Sequence, residues 1–263
     1  MADGMNFDKY IDNPSGGSSV VTNRNMYKEM YKQKFNTVLV REQGKIDYFV
    51  YKSKDNTDSY FIHMKIPSEV ISNFYYDVII RLYTTENSKK ASSVLRNYAV
   101  QFYSNDPAFV YTFVHAFAKN KIFIEDLSPK MSKAALDNRA KIKNPKDNVW
   151  YVKSLFFAYL TMEKYNLFNR TVLDREQKPY DKKLLLSKIV HADEKIHARQ
   201  LAQEKLQKEK TNAAKSKKSH VKVDAEPKSH AKVSTVRHSK NTKNTSTVSS
   251  VKSTKISNKI KKS

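Results

Sequence analysis

The sequence predicts an α+β protein: an antiparallel β-sheet or small sandwich followed by packed helices, a long projecting helix and a disordered basic tail. Three observations support this fold class. Apolar and polar residues alternate over 37–103, apolar residues recur at helical spacing after residue 107, and the C-terminus is basic and lacks aromatic residues. We therefore divide the chain into a flexible N-terminal arm (1–35), a β-rich domain (36–127), a helical part of the body (128–178), a long charged helix (179–210) and the tail (211–263).

The N-terminal arm has the composition of a linker. Residues 13–19 read Asn-Pro-Ser-Gly-Gly-Ser-Ser, which is typical of turns and linkers. A short helical candidate follows at Met26–Lys34. Two interpretations stay open, namely a frayed terminus and an arm that docks on a neighbouring subunit.

Five strands are expected in the β-rich domain. Gly44 lies between the first two, where a hairpin turn requires a positive φ. Two-residue periodicity with polar alternates predicts a sheet with one buried face. The expected strands are Thr37–Glu42, Ile46–Lys52, Ser59–Ile66, Phe74–Tyr83 and Tyr98–Phe102.

The opposite phase of these strands also carries large side chains, together with Arg81 and Lys65. Such a face can be a stacking platform for single-stranded nucleic acid. It can equally be a face that helices or another subunit cover. We favour the covered face, because the helices downstream need a surface to pack on. The aromatic residues of this phase are Phe49, Phe61, Tyr75, Tyr83 and Tyr103.

Helical spacing dominates the rest of the body. Pro107 is a favoured first helical residue, and Asn105 or Asp106 can cap the helix that begins there. Ile122–Leu127 is a candidate for a short strand. The other expected helices are Ser132–Asn138, Asn148–Asn166 and Tyr180–Lys210.

The sequence contains no catalytic motif. It has no cysteine, which excludes disulfides and thiolate metal sites, and no glycine follows Gly44 to form a phosphate-binding loop. His191 and His197 are six positions apart, a spacing that does not place two metal ligands on one helix face. His63 and His115 are expected to be hydrogen-bonded, partly buried imidazoles. We predict no enzyme, cofactor or metal, and a nuclease built from scattered carboxylates stays open as an alternative.

The tail is the main candidate for binding. It holds 14 Lys and Arg against 2 Asp and Glu, a net charge of +12, whereas residues 1–210 carry +11. Mobile positive charges suit phosphate neutralisation with release of counterions and no base readout. A merely solubilising tail is the alternative. The candidate nucleic-acid-binding residues are Lys215, Lys217, Lys218, Lys222, Lys228, Lys232, Arg237, Lys240, Lys243, Lys252, Lys255, Lys259, Lys261 and Lys262.

A membrane partner is not expected. The tail has no apolar anchor beside its lysines, and no stretch approaches the roughly 18 apolar residues of a spanning helix. The N-terminus also lacks the features of a signal peptide. These patterns predict a soluble protein that is made in a cytoplasm.

Two segments resemble parts of uncharacterised virion structural proteins of tailed bacteriophages. The first, residues 97–113, reads Asn-Tyr-Ala-Val-Gln-Phe-Tyr-Ser-Asn-Asp-Pro-Ala-Phe-Val-Tyr-Thr-Phe. The second, residues 144–159, reads Asn-Pro-Lys-Asp-Asn-Val-Trp-Tyr-Val-Lys-Ser-Leu-Phe-Phe-Ala-Tyr. The resemblance extends over about residues 36–166 and transfers no functional residue. It implies an assembly role in the particle, near the head–tail connection or the packaged genome.

Three functional hypotheses follow, and the first is a non-enzymatic structural or assembly protein of a phage particle. It would be made in the host cytoplasm, join a homo-oligomer or other virion proteins, and contact DNA through its tail. The second is a sequence-independent nucleic-acid-binding protein, of the nucleoid or single-strand type. The third is the metal-dependent nuclease.

Overall fold

A computed structural model describes residues 5–12, 21–54, 58–84, 95–150 and 152–220. Within these ranges the predicted α+β class is confirmed, since a five-stranded sheet is combined with helices. The strands are β1 (Tyr48–Lys52), β2 (Ser59–Pro67), β3 (Tyr75–Tyr83), β4 (Ala99–Ser104) and β5 (Gln177–Pro179). The α-helices are α1 (Phe7–Asp12), α2 (Val21–Arg41), α3 (Val114–Lys119), α4 (Lys133–Asp137), α5 (Lys153–Lys164), α6 (Arg170–Glu176), α7 (Lys182–Lys188) and α8 (Ala192–His220).

The sheet is mixed rather than wholly antiparallel. Its strand order is β4-β3-β2-β1-β5, and the pairs β1–β2, β2–β3 and β3–β4 are antiparallel. β5 instead lies parallel to β1, with Val50 opposite Gln177. No strand was predicted from the sequence for residues 177–179. These three residues are too few to show an alternating pattern.

The predicted hairpin at Gly44 is wrong, because its first strand belongs to helix α2. Tyr31 and Phe35 lie one helical turn apart and contact Phe156 and Phe157 of α5, with ring centroids 5.7 and 5.4 Å apart. This apolar stripe favours a helix over the local alternation. The positive φ of Gly44 (77°) is present, but it ends the helix: its N–H donates to the carbonyl of Leu39 at 2.7 Å.

The first face of the sheet holds an aromatic core. Phe102 of β4 lies 5.2 Å from Phe7, 4.8 Å from Tyr10 and 5.8 Å from Phe117, measured between ring centroids. All four rings are buried, and α5 also packs on this face. Helix α1 therefore belongs to the core.

Residues 5–12, which belong to the flexible arm predicted for 1–35, are attached to the body. Met5 accepts a backbone hydrogen bond from Val100 at 2.8 Å, and Asn6 forms a bridge to Ala99. Residues 5–6 thus cover part of the free edge of β4 in their own subunit, a position where a neighbour's strand would otherwise pair. The docking of α1 was not predicted from the sequence, because Phe7 and Tyr10 precede a linker-like stretch.

The second face of the sheet is largely covered, as favoured from the sequence. Phe61 stacks on Tyr180 with centroids 4.1 Å apart and planes 9° apart, and the hydroxyl of Tyr103 donates to the carbonyl of Lys130 at 3.1 Å. Phe49 stays 37% exposed. Tyr75 and Tyr83 are half-buried. A continuous stacking platform for single strands is therefore not present on the described sheet.

Several predicted helices are confirmed with changed ends. A helix begins at Pro107 and includes a π-helical turn, Phe109–Phe113, while Ser132–Asn138 corresponds to α4. The helix predicted for Asn148–Asn166 is shorter, because residues 148–150 and 152 are not helical and α5 begins at Lys153. In place of the predicted strand, Ile122–Leu127 contains a single bridge at Phe123 and the start of a 3₁₀ helix.

The long helix predicted for Tyr180–Lys210 is interrupted. Residues 189–191 separate α7 from α8, and α8 then continues to His220. The disordered tail predicted from Thr211 therefore begins too early. Residues 211–220 are rich in Ala and Lys, which favour a helix even without tertiary contacts. The rest of the tail, 221–263, lies outside the described residues.

Candidate functional site

Asp77 of β3 is a buried carboxylate surrounded by polar groups. His63 Nε2 lies 2.8 Å from its Oδ1, and Lys65 Nζ donates to the same oxygen. Asn105 Nδ2 donates to Oδ2 at 2.9 Å, and Asn105 Oδ1 accepts from the Asp77 N–H at 2.8 Å. We name these four residues the Asp77 cluster. Asp77 is 1% exposed, and His63 and Asn105 are fully buried.

The electrostatics of the Asp77 cluster favour an ionised carboxylate. Burial alone would raise the pKa of Asp77, but the hydrogen bonds and charges of His63 and Lys65 outweigh it and lower the pKa to about 2. The Lys65 side chain is 31% exposed, so this cation reaches solvent while its partner does not. The carboxylate is thus held charged inside the protein by partners on β2.

The same carboxylate fixes the start of α8. The N–H of Val190 donates to Asp77 Oδ2 at 3.3 Å, and Asn105 Nδ2 donates to the Val190 carbonyl at 3.2 Å. Val190 lies in the interruption between α7 and α8, where its backbone groups have no helical partner. His191 then caps α8, since its Nδ1 accepts from the Asp193 N–H at 3.2 Å. The Asp77 cluster therefore acts as a clamp that sets where α8 begins.

Side-chain packing continues this attachment along the first turns of α8. Ala192 is fully buried and Ile196 is 6% exposed. Lys195 Nζ lies 4.4 Å from the centroid of the Phe74 ring, a cation–π contact. Burial lowers the pKa of Lys195, which is the expected direction for an ammonium group that has lost solvent.

The paired His63 and Asp77 side chains also resemble the His–Asp pairs of acid–base catalysis. A general base must reach the proton of a bound substrate, directly or through one water. His63 is fully buried, and its second nitrogen, Nδ1, has no hydrogen-bond partner among the described residues. No nucleophile is therefore in position beside this imidazole in the described part of the chain. The arrangement is suited to holding the Val190 backbone.

The other histidines considered from the sequence also have structural contacts. His115 Nδ1 is 2.7 Å from the carbonyl oxygen of Leu136, at the end of α4. His191 serves as the cap of α8, and His197 is exposed on that helix. The described ranges contain no group of three or more His, Asp or Glu that could hold a metal ion.

The basic residues predicted to bind nucleic acid fall in two places. Beyond its attached turns α8 is exposed, and every residue from Gln207 to Ala214 is solvent-accessible. Lys215, Lys217 and Lys218 lie on the last turns of this helix. The other candidates lie outside the described residues: Lys222, Lys228, Lys232, Arg237, Lys240, Lys243, Lys252, Lys255, Lys259, Lys261 and Lys262.

The Asp77 cluster was not predicted from the sequence, although part of its signal is present there. His63, Lys65 and Asp77 share the second phase of β2 and β3, so their alternation could have placed them on one face. The link to Val190 could not be foreseen, because 113 positions separate it from Asp77.

The comparisons with known proteins found no match to the chain: no protein-family model, no curated protein and no solved structure matches it. In the ranges that the structure describes, no helix is both long enough and apolar enough to cross a membrane.

Proposed function

We propose that this chain is a non-enzymatic structural and assembly protein of a tailed-phage particle, with a basic C-terminal segment that contacts DNA. One observation carries the proposal: α8 is clamped to the body at its first turn and leads into the segment with 14 cations and 2 acids. A helix that is fixed at its start and continues into a segment rich in positive charge is suited to contacting a polyanion.

The assignment to a phage particle rests on the sequence resemblance of residues 97–113 and 144–159. The structure adds a packing argument for these segments. The ring of Phe117 lies 5.8 Å from that of Phe102 and 5.1 Å from that of Phe109, and Phe156 and Phe157 contact α2. The body is thus a well-packed scaffold, and the histidine–carboxylate pair inside it holds backbone. These features support an assembly role for the body, with itself or with other virion proteins.

The second candidate function is a sequence-independent nucleic-acid-binding protein that coats DNA as a monomer. The exposed stretch 207–214 of α8, which includes Lys208 and Lys210, favours it equally. Electron microscopy of the full chain, with and without duplex DNA, separates the two. Closed rings or incorporation into particles support the assembly protein, whereas monomers spread along DNA support the second function.

The DNA contact can be tested by neutralising the tail. We expect the full chain to bind duplex DNA with a slope of log affinity against log salt of roughly −4 to −9, as for five to ten neutralised phosphates. Replacing the 11 Lys and Arg residues after His220 with Gln should remove most of that slope. Fluorescence anisotropy across a salt series measures the DNA affinity of the natural and the neutralised chain.

A chain with the same tail residues in shuffled order is the matched control. It should bind as the natural chain does, because phosphate neutralisation does not depend on the order of the cations. Unchanged binding by the neutralised chain would contradict a DNA contact through the tail. Loss of binding by the shuffled chain would instead indicate a folded, sequence-dependent interface.

A further inference from the structure

The body carries a second cluster of cations, in the turn between α4 and α5. Arg139, Lys141, Lys143 and Lys146 lie within eight consecutive residues, and all four are exposed. We name residues 139–146 the basic loop. None of its four cations has a carboxylate partner among the residues that the structure describes, although surface cations elsewhere, such as Lys182 with Asp126, are paired.

The acid nearest to the basic loop is already neutralised. Asp147 Oδ2 accepts from Lys119 Nζ at 2.9 Å. This hydrogen bond lowers the pKa of Asp147, and the charges of Lys119, His115 and Arg139 lower it further. Asp137, two residues before Arg139, is exposed and has no ion pair among the described residues, but the four cations of the loop outnumber it. The loop therefore keeps a net positive charge that attracts an external anion.

The loop is held in shape by a buried side chain. Asn144 is 6% exposed, and its Nδ2 donates to the carbonyls of Thr112 at 3.2 Å and Asn148 at 2.9 Å. Its Oδ1 accepts from the Asn148 N–H at 2.9 Å, and its own N–H closes a turn onto the carbonyl of Ala140. The cations thus stand on a fixed turn, so little backbone order has to be gained on binding.

An apolar side chain lies at the tip of this turn. Ile142 is 94% exposed between Lys141 and Lys143. A single aliphatic group flanked by cations matches the chemistry of protein loops that contact a DNA groove, where the cations bind phosphates and an aliphatic group contacts the bases or sugars.

We propose that the basic loop is a second DNA contact, on the body itself, and that it binds duplex DNA. This inference rests on the proposed function, because it assumes the same ligand as the tail. Single strands need an aromatic platform, and the aromatic face of the described sheet is covered. A lipid surface needs a larger apolar area than Ile142 offers. A second copy of a chain with net charge +23 is repelled by the loop.

The test uses the full chain with Arg139, Lys141, Lys143 and Lys146 replaced by Gln. Loss of up to four phosphate contacts should make the salt slope for a duplex of about 30 base pairs less negative by about 3. The matched control replaces Lys9, Lys45, Lys178 and Lys183 with Gln, four exposed lysines for which the described residues supply no ion pair. It removes the same net charge, so its slope should change by less than about 1.

Ile142→Ser examines the apolar contact separately. It should weaken duplex binding on the order of tenfold at fixed salt and leave the slope unchanged, because no charge is lost. Val40→Ser is its control, since Val40 is 81% exposed on α2 and lies outside the basic loop. Equal effects of the two substitutions would refute a role for Ile142 in binding.

Three further outcomes separate the loop from the tail and from other ligands. If the loop variant and the lysine control behave alike while the neutralised tail loses its slope, the basic loop is not a DNA contact and the proposed function stands. If the unmodified chain binds no DNA, both proposals fail. Tighter binding to a single strand, or a loop effect confined to vesicles of anionic lipid, would overturn the duplex assignment.

Discussion

Asp77→Asn is expected to lower the free energy of unfolding by about 3 kcal/mol, because it removes the negative charge that the partners of the buried carboxylate are arranged to bind. His63 and Asn105 are both fully buried, so neither can turn to solvent when Asp77 loses its charge. Urea unfolding followed by circular dichroism measures this loss. Hydrogen exchange gives a second readout, since the Val190 amide and the first turn of α8 should exchange faster.

The stability supplied by Asp77 should also depend on pH in a known direction. The pKa is lowered in the folded protein from 3.8 to about 2, so the folded state favours the ionised carboxylate. The contribution is therefore complete above about pH 4 and is lost as the pH falls through 2, an effect of about 2 to 3 kcal/mol. The difference in stability between the natural chain and Asp77→Asn should shrink over that interval.

Asp47→Asn is the matched control, because Asp47 is exposed and no ion pair involves it in the described ranges. Its stability should stay within about 0.5 kcal/mol of the natural chain at each pH. If the two substitutions cost the same, the Asp77 cluster is not a clamp. A cost at Asp77 without faster exchange at Val190 would indicate a carboxylate that stabilises the sheet but does not position α8.

The strands could be predicted wherever the local pattern was strong. In the nine-residue strands β2 and β3, every second residue belongs to an apolar set that marks one face of the sheet. The two strands also follow each other in the chain, so their antiparallel pairing could be expected. The hairpin at Gly44 failed for a physical reason: a glycine with positive φ ends a helix as readily as it forms a turn. Only the contact of Tyr31 and Phe35 with α5, more than 100 positions away, distinguishes the two.

The candidate sites likewise differ in how much of each could be predicted from the sequence. The basic tail is visible from composition, because charge density needs no tertiary information. The role of the Asp77 cluster depends on Val190, which lies 113 positions further along the chain, after five α-helices and two strands. The basic loop could be counted in the sequence, yet its exposure and the neutralisation of Asp147 depend on the fold. Sequence patterns therefore predict where charge lies, and the structure shows which charges are left unpaired.

Phe7→Ala is expected to lower the free energy of unfolding by about 3 to 4 kcal/mol, the range for removing a buried phenyl ring. Phe7 is fully buried, and its ring centroid is 5.2 Å from that of Phe102, 5.4 Å from Tyr159 and 5.8 Å from Phe168. It thereby links α1 to β4, α5 and the start of α6. Chemical denaturation of the full-length variant measures the loss.

The control is Tyr111→Ala, which removes an aromatic ring that is 53% exposed and should cost less than about 1 kcal/mol. Equal losses of stability at the two positions would contradict a docked α1 and support the flexible arm predicted from the sequence. The expected large difference has a consequence for assembly. Because residues 5–6 pair with β4 and Phe7 fills the core of the same subunit, this segment cannot also pair with a neighbour's sheet. Contacts between subunits would then have to involve other surfaces.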